Sequence, residues 1–149
     1  MEAYLDNYAT TRCSDRACQL MVDLLTKDYG NPSSLHMKGI EAERFVETAK
    51  KKIAKTLRVS EKEIIFTRNT TESLNLVAYS YACSHLKEGD EIAVSIMEHH
   101  SNILPWQMVA RMTGATVRYL NCEKDGTLTD ETFAAGINEK TKLVAIGQV

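Results

Sequence analysis

Two short polar clusters carry residue types suited to chemistry. The first is RNTTES, residues 68–73, which follows the apolar run EIIFT. Asn69 can cap a helix by accepting a backbone N–H, and Glu72, three residues on, can complete a capping box. Those two residues need no ligand to explain them. Two successive threonines at the same junction are less readily explained that way, because free N–H groups at a helix start, flanked by hydroxyls, attract an anion. Neither a glycine-rich dinucleotide fingerprint nor a P-loop is present, so a single compact phosphate fits better than a nucleotide. On spacing alone, plain capping and phosphate binding both stay open.

The second cluster is EHHSN, residues 98–102, directly after EIAVSIM. A flat imidazole at such a point can stack on a planar ligand ring and exchange protons near neutral pH. Adjacent residues on an extended chain point opposite ways, so His99 and His100 are not expected to share a metal. No H-E-x-x-H spacing supports one either. Taken alone, the pair is accounted for by a turn with one histidine exposed and one packed. A metal-binding domain using both histidines and a cysteine is a further reading, with poor ligand spacing.

The elements that must position these clusters follow from periodicity. Helical spacing covers 15–29 through Ala17, Met21, Leu24 and Leu25, and 37–57 through Ala42, Phe45, Val46, Ala49, Ile53 and Leu57. The loop GNPSS separates them. EIIFT reads as a short strand, 70–86 as a helix with Leu74, Val77, Ala78 and Tyr81 on one face, and EIAVSIM as a buried strand. Residues 101–113 form a helix with Pro105 near its start and Gly114 as its cap. ATVRYL is a strand, DGTLTDETFAAGI a turn and a short helix begun by Thr129 or Asp130, and KLVAIGQV a final strand. Strands alternating with helices from residue 63 onward predict an α/β fold, a mostly parallel sheet with helices on both faces. Ligands bind beyond the carboxyl ends of strands in such sheets, which is where both polar clusters fall.

Composition narrows the function classes. The chain has 149 residues, 44% hydrophobic and 26% charged, with a formal net charge of −2. This suits one soluble domain with a sizeable core. No global field argues for nucleic acid, and KKK at 50–52 reads as a solvated helix face. The N-terminus MEAYLDNYATT shows neither a basic leader nor an apolar h-region, and no apolar run approaches membrane-spanning length. Cysteines 13, 18, 83 and 122 form no C-x-x-C pair and fit neither a zinc site nor a disulfide framework. The expectation is a cytoplasmic protein in a reduced compartment, without membrane or nucleic-acid partner, whose cysteines pack rather than react.

Four segments, YLDNYATT at 4–11, YGNPSSLHMKG at 29–39, IIFTRNTTESLNL at 64–76 and MEHHSNILPWQ at 97–107, together resemble class V aminotransferase-like pyridoxal-phosphate enzymes. Within that family the chain is most similar to the cysteine desulfurases. GNPSSLHMKG looks like one desulfurase subgroup and EHHSNILPWQ like the other. The resemblance implies a three-layer αβα large domain of fold-type I, with 1–149 as its N-terminal part and 1–35 as an arm and first helix leading into it. It implies that Asn69, Thr70 and Thr71 hold the phosphate of pyridoxal 5'-phosphate, although the family often has glycine at the position of Asn69. It implies that His99 stacks on the pyridine ring and assists proton transfers, while His100 has no assigned role. Asn7, Ala9, Thr10, Asn31 and His36 would lie near the substrate or a partner subunit.

The implied reaction removes sulfur from L-cysteine, giving L-alanine and an enzyme persulfide for a sulfur-acceptor protein, for iron-sulfur cluster or thio-cofactor supply. The cofactor acts as the electron sink. The family's ring-nitrogen aspartate, Schiff-base lysine and catalytic cysteine all lie further along than Val149, and none of the four cysteines here occupies the nucleophile position. Members are roughly two to three times this long by domain-size expectation. The chain is therefore expected to be a truncated, inactive front part of a homodimeric enzyme. Alternatives are another class V enzyme (aminotransferase, selenocysteine lyase or epimerase) or a non-catalytic truncated domain.

Overall fold

A computed structural model describes residues 3–7 and 9–147. The chain divides into two compact units, Met1–Ile65 and Phe66–Val149. Among the described residues no helix is long and apolar enough to cross a membrane.

The first unit holds an arm and two helices, α1 (Asp15–Thr26) and α2 (Met37–Leu57). Ser14 starts α1 by accepting the Ala17 N–H at 3.3 Å. α2 matches the predicted span and stops where Arg58 turns left-handed, φ 57°. Its start needs two glycines. A side-chain carbon at Gly30 would strike the Lys38 carbonyl oxygen, and one at Gly39 the Ser34 carbonyl oxygen. Ala42 and Ala54 are buried, whereas α1 buries no residue and Phe45 is half exposed. The predicted apolar faces are thus only partly covered.

EIIFT is not a strand. Glu61–Glu63 form a 3-10 turn closed by a capping box, in which Ser60 Oγ accepts from Lys62 N–H and Glu63 Oε2 from Ser60 N–H. Ile64 onward is extended but joins no ladder among the described residues. Ile65 and Phe66 remain 71% and 51% exposed. An extended apolar run becomes a strand only when a neighbour takes its backbone groups.

The second unit opens with helical residues from Thr70 to His85 in three parts: α3 (Thr70–Leu76), a π-helical stretch (Val77–Ala82) and α4 (Cys83–His85). Within the π stretch the Cys83 N–H reaches back to the Ala78 carbonyl. The Ser80 hydroxyl donates to the Leu76 carbonyl there, a local competition that widens the turn. Strand β1 (Glu91–Ser95) follows, then a 3-10 turn (His100–Asn102) and helix α5 (Leu104–Thr113). Pro105 sits in the first turn of α5 and Gly114 caps it at φ 77°, as predicted. β2 (Thr116–Leu120), α6 (Asp130–Gly136, capped by Thr129) and β3 (Thr141–Ala145) complete the order. The predicted last strand ran on to residue 149. It ends at Ala145, and residues 148 and 149 lie outside the described residues.

The sheet is parallel, ordered β2-β1-β3, with Ile92 beside Val117 and Leu143 and Val94 beside Tyr119 and Ala145. Ile92, Ala93 and Val94 have no exposed surface, so both faces of β1 are covered. Ala78, Ala82, Trp106, Val109 and Ala110 pack with Ile92, Val94 and Ala145 on one face. On the other, α6 lies against β2, Gly136 meeting Leu120. This is the predicted αβα layering around a parallel sheet.

Candidate active site

The first polar cluster starts α3. Asn69 is extended, φ −168° and ψ 174°, a conformation open to any residue, so nothing here requires glycine. Its Oδ1 accepts the Glu72 N–H at 2.9 Å, and its carbonyl accepts the Ser73 N–H at 3.1 Å. The expected capping box is only half formed. Glu72 Oε2 accepts the N–H of Arg68 at 2.7 Å, one residue short of Asn69, and Arg68 Nε at 3.1 Å. The backbone hydrogen bond from Arg68, then its side chain, holds the Glu72 carboxyl below its ordinary range. Of the four N–H groups that begin the helix, that of Glu72 is thereby satisfied. Those of Thr70 and Thr71, and both threonine hydroxyls, have no partner among the described residues.

The second cluster ends β1. His99 precedes the 3-10 turn, and its Nδ1 accepts the Ser101 N–H at 3.1 Å, with Ser101 Oγ at 2.9 Å. A backbone N–H only donates, so Nδ1 presents a lone pair and the proton of the neutral ring sits on Nε2. The expectation that His99 and His100 point apart is overturned. The chain turns into the 3-10 helix at His100, and both exposed rings line one cavity, centroids 6.2 Å apart. The described residues contain no group of side chains able to hold a metal.

That cavity, about 390 Å³, is lined by Thr71, Asn75 and Tyr79 from one helix, His99, His100 and Ser101 from the turn, and Leu104, Pro105 and Met108 from α5. Its size suits a small molecule. Its lining combines Thr71, at the start of α3, with the apolar side chains of Leu104, Pro105 and Met108. Among the described residues no lysine, arginine or carboxylate lines the cavity. A bound anion would therefore be balanced by the N–H groups and dipole of the helix start. Asn75 Nδ2 donates to the Thr71 carbonyl at 2.8 Å, holding that first turn.

The structure brings Thr71 and His99 together here, with Asn69 two residues before Thr71 as the cap and Thr70 between them. Asn7, Ala9, Thr10, Asn31 and His36 belong to the first unit. There Asn7 Nδ2 donates to the Tyr4 carbonyl at 3.3 Å, the Thr10 N–H to the Asp6 carbonyl at 3.1 Å, and Ser33 N–H to Asn31 Oδ1 at 2.9 Å. Ala9 is exposed, and His36 precedes α2 without a side-chain cap bond.

Sequence reasoning missed Asn75 and Tyr79, though Thr71, Asn75 and Tyr79 recur every four residues, the spacing of one helix face. It also missed Glu98. Oε1 of Glu98 accepts from Ser95 Oγ and from the Gly147 N–H, both at 2.8 Å, and Oε2 accepts Asn102 Nδ2 at 2.7 Å. Asn102 Oδ1 in turn accepts the Trp106 indole N–H at 2.9 Å. Burial acts to raise the Glu98 pKa, but the hydrogen bonds from Asn102, Gly147 and Ser95 outweigh it and hold the carboxyl below its usual range. Nothing in sequence spacing couples residue 98 to 147.

A family model described as class-V aminotransferase matches residues 3–149. The chain belongs to the class-V aminotransferase family. This family is pyridoxal-phosphate dependent. A protein of Halalkalibacterium halodurans described as a probable cysteine desulfurase is 45% identical over 148 residues, 98% of this chain and 36% of that protein. Among solved structures, a NifS-like protein superposes with a TM-score of 0.88 at 36% identity, covering 98% of this chain and 40% of its own. The apo cysteine desulfurase of Thermococcus onnurineus NA1 gives 0.86 at 32%, covering 95% and 35%. The chain spans about a third of the length of the curated relatives it matches.

The class-V cofactor is a planar ring carrying a phosphate, and the cavity of this family member suits both parts. The apolar side chains and imidazoles of the lining are compatible with the ring, and the Thr71 hydroxyl with the phosphate. The cysteines do not enter this site. Cys13 and Cys18 are exposed rather than packed as expected, while Cys83 and Cys122 are half-buried.

Proposed function

We propose that this chain forms the phosphate-anchoring and ring-stacking part of a pyridoxal-phosphate-dependent cysteine desulfurase. The whole protein takes sulfur from L-cysteine, releases L-alanine and leaves a persulfide for an acceptor protein. The single observation that carries the reading is that Thr71 and His99 line one cavity together with apolar side chains of α5.

Thr71 would donate its hydroxyl to a phosphate oxygen, together with the N–H groups of Thr70 and Thr71, while Asn69 keeps the helix start in place. His99 would stack on the ring, and its Nε2, which carries the proton of the neutral imidazole, would be the atom that holds or gives up a proton in the cavity. Leu104, Pro105 and Met108 would exclude water from the ring. When bound, the cofactor supplies the electron sink for carbanionic character. Desulfurase chemistry also needs an activated thiolate, which none of the four cysteines supplies in this cavity. We accordingly expect this chain by itself to release no alanine from L-cysteine and pyridoxal phosphate. Homodimerisation, sulfur delivery to iron-sulfur cluster assembly and a cytoplasmic location belong to the same proposal.

The test is cofactor retention in a protein of the relatives' full length. A hydrogen bond to a charged group is worth about 1.5–3 kcal/mol, so Thr71→Ala should weaken retention by roughly tenfold or more. Retention equal to that of the unaltered protein would remove the phosphate role, and alanine formed by the chain alone would remove the incomplete-site reading.

A further inference from the structure

We propose that Cys13 and Cys18 form a modification site, a thiol pair that closes to an intrachain disulfide across the first turn of α1. The placement is set by the helix cap. Ser14 is the cap residue, so Cys13 precedes it by one position and Cys18 is the fourth residue of the helix. Those are the two positions whose side chains meet in a hydrophobic staple. Apolar residues usually fill them; here both are thiols, and both are exposed.

The local geometry agrees. The Cys18 N–H donates to the Ser14 carbonyl at 2.9 Å, which closes the turn. Cys18 Sγ lies 4.0 Å from the Cys13 carbonyl oxygen, so its side chain leans back over the cap. The neighbouring Cys18 thiol, and to a lesser degree desolvation, pushes the Cys13 thiol above its ordinary value. Cys83, by contrast, packs against the core of the second unit. The closed loop is short, so little further chain entropy is lost on bridging.

The oxidant is a low-molecular-weight disulfide such as oxidised glutathione. One cysteine thiolate attacks a sulfur of the small disulfide, whose S–S bond breaks and releases one small thiolate. The second cysteine thiolate attacks the protein-bound sulfur, forms the intrachain S–S bond and expels the second small thiolate. Two protein thiols lose two electrons, and the two released thiolates take up the two protons. The bond would tie the arm that carries Thr10 and Thr11 to the start of α1.

The test equilibrates the intact 149-residue chain in glutathione redox buffers, alkylates free thiols and maps peptides. Cleavage after Arg16 separates the two cysteines, so the disulfide is read as a linked peptide pair. The linked pair should exceed glutathione mixed disulfides at these positions by about tenfold, reflecting the effective concentration of neighbouring thiols. Amide exchange at Cys18 should slow on oxidation. Cys13→Ser and Cys18→Ser should each leave the other thiol as a glutathione adduct. Glutathione on both cysteines without a linked pair, or a linked pair formed only in urea, would overturn the proposal.

Discussion

Glu98 accepts a hydrogen bond from the backbone N–H of Gly147, 49 residues away in the chain, at 2.8 Å. The same carboxylate holds Ser95 at the end of β1 and Asn102 in the turn that carries the histidines. One side chain thus clamps two neighbouring strand ends and the loop that bears His99. Its removal strands partly buried donors, each worth about 1–3 kcal/mol when left unpaired. Glu98→Ala should lower unfolding stability by about 2 kcal/mol, measured by urea denaturation, whereas Glu98→Gln should lose less because the amide still accepts from one of the donors. Equal midpoints for Glu98→Ala and the unaltered chain would show that the clamp is not needed.

The same group predicts an acid limb in stability. Its folded pKa is depressed below the ordinary 4.5. Its contribution is therefore complete above the unfolded value and fades as the pH falls through the lower folded value. Denaturation midpoints should decline below about pH 4.5, and the decline should be shallower in Glu98→Gln. Parallel pH curves for the two proteins would rule Glu98 out as a source.

Asn69 acts as a cap whether or not an anion binds. Asn69→Ala should cost about 1 kcal/mol of stability, and Asn69→Asp close to nothing, in thermal or urea unfolding. A loss for Asn69→Asp as large as for Asn69→Ala would point to a role other than capping.

The Ser101 N–H donated to His99 Nδ1 fixes the ring's tautomer. Nitrogen NMR of the neutral ring should place the proton on Nε2. Ser101→Ala keeps the backbone donor and should keep that tautomer; a proton found on Nδ1 would contradict the hydrogen-bond geometry.

Several features were legible because their causes are local. The caps at Asn69, Thr129 and Gly114 depend on residues within one turn. The span of α2 followed from its apolar repeat. The run EIIFT misled because apolar β-formers announce a strand that needs a partner to exist. His99 and His100 misled because the alternation rule applies only while a chain stays extended, and a 3-10 turn begins at His100.

By itself the sequence determined the alternating α/β order, the helix starts, the two polar clusters and, through four ordered segments, the class-V family. These rest on contacts within a few residues or on motif identity. Only the tertiary structure decided that Thr71 and His99 face one cavity, that His100 joins them, and that Glu98 ties residue 95 to residue 147. Those relations depend on how α3, the turn after β1 and α5 pack in the second unit, and no spacing along the chain encodes the direction in which distant side chains converge.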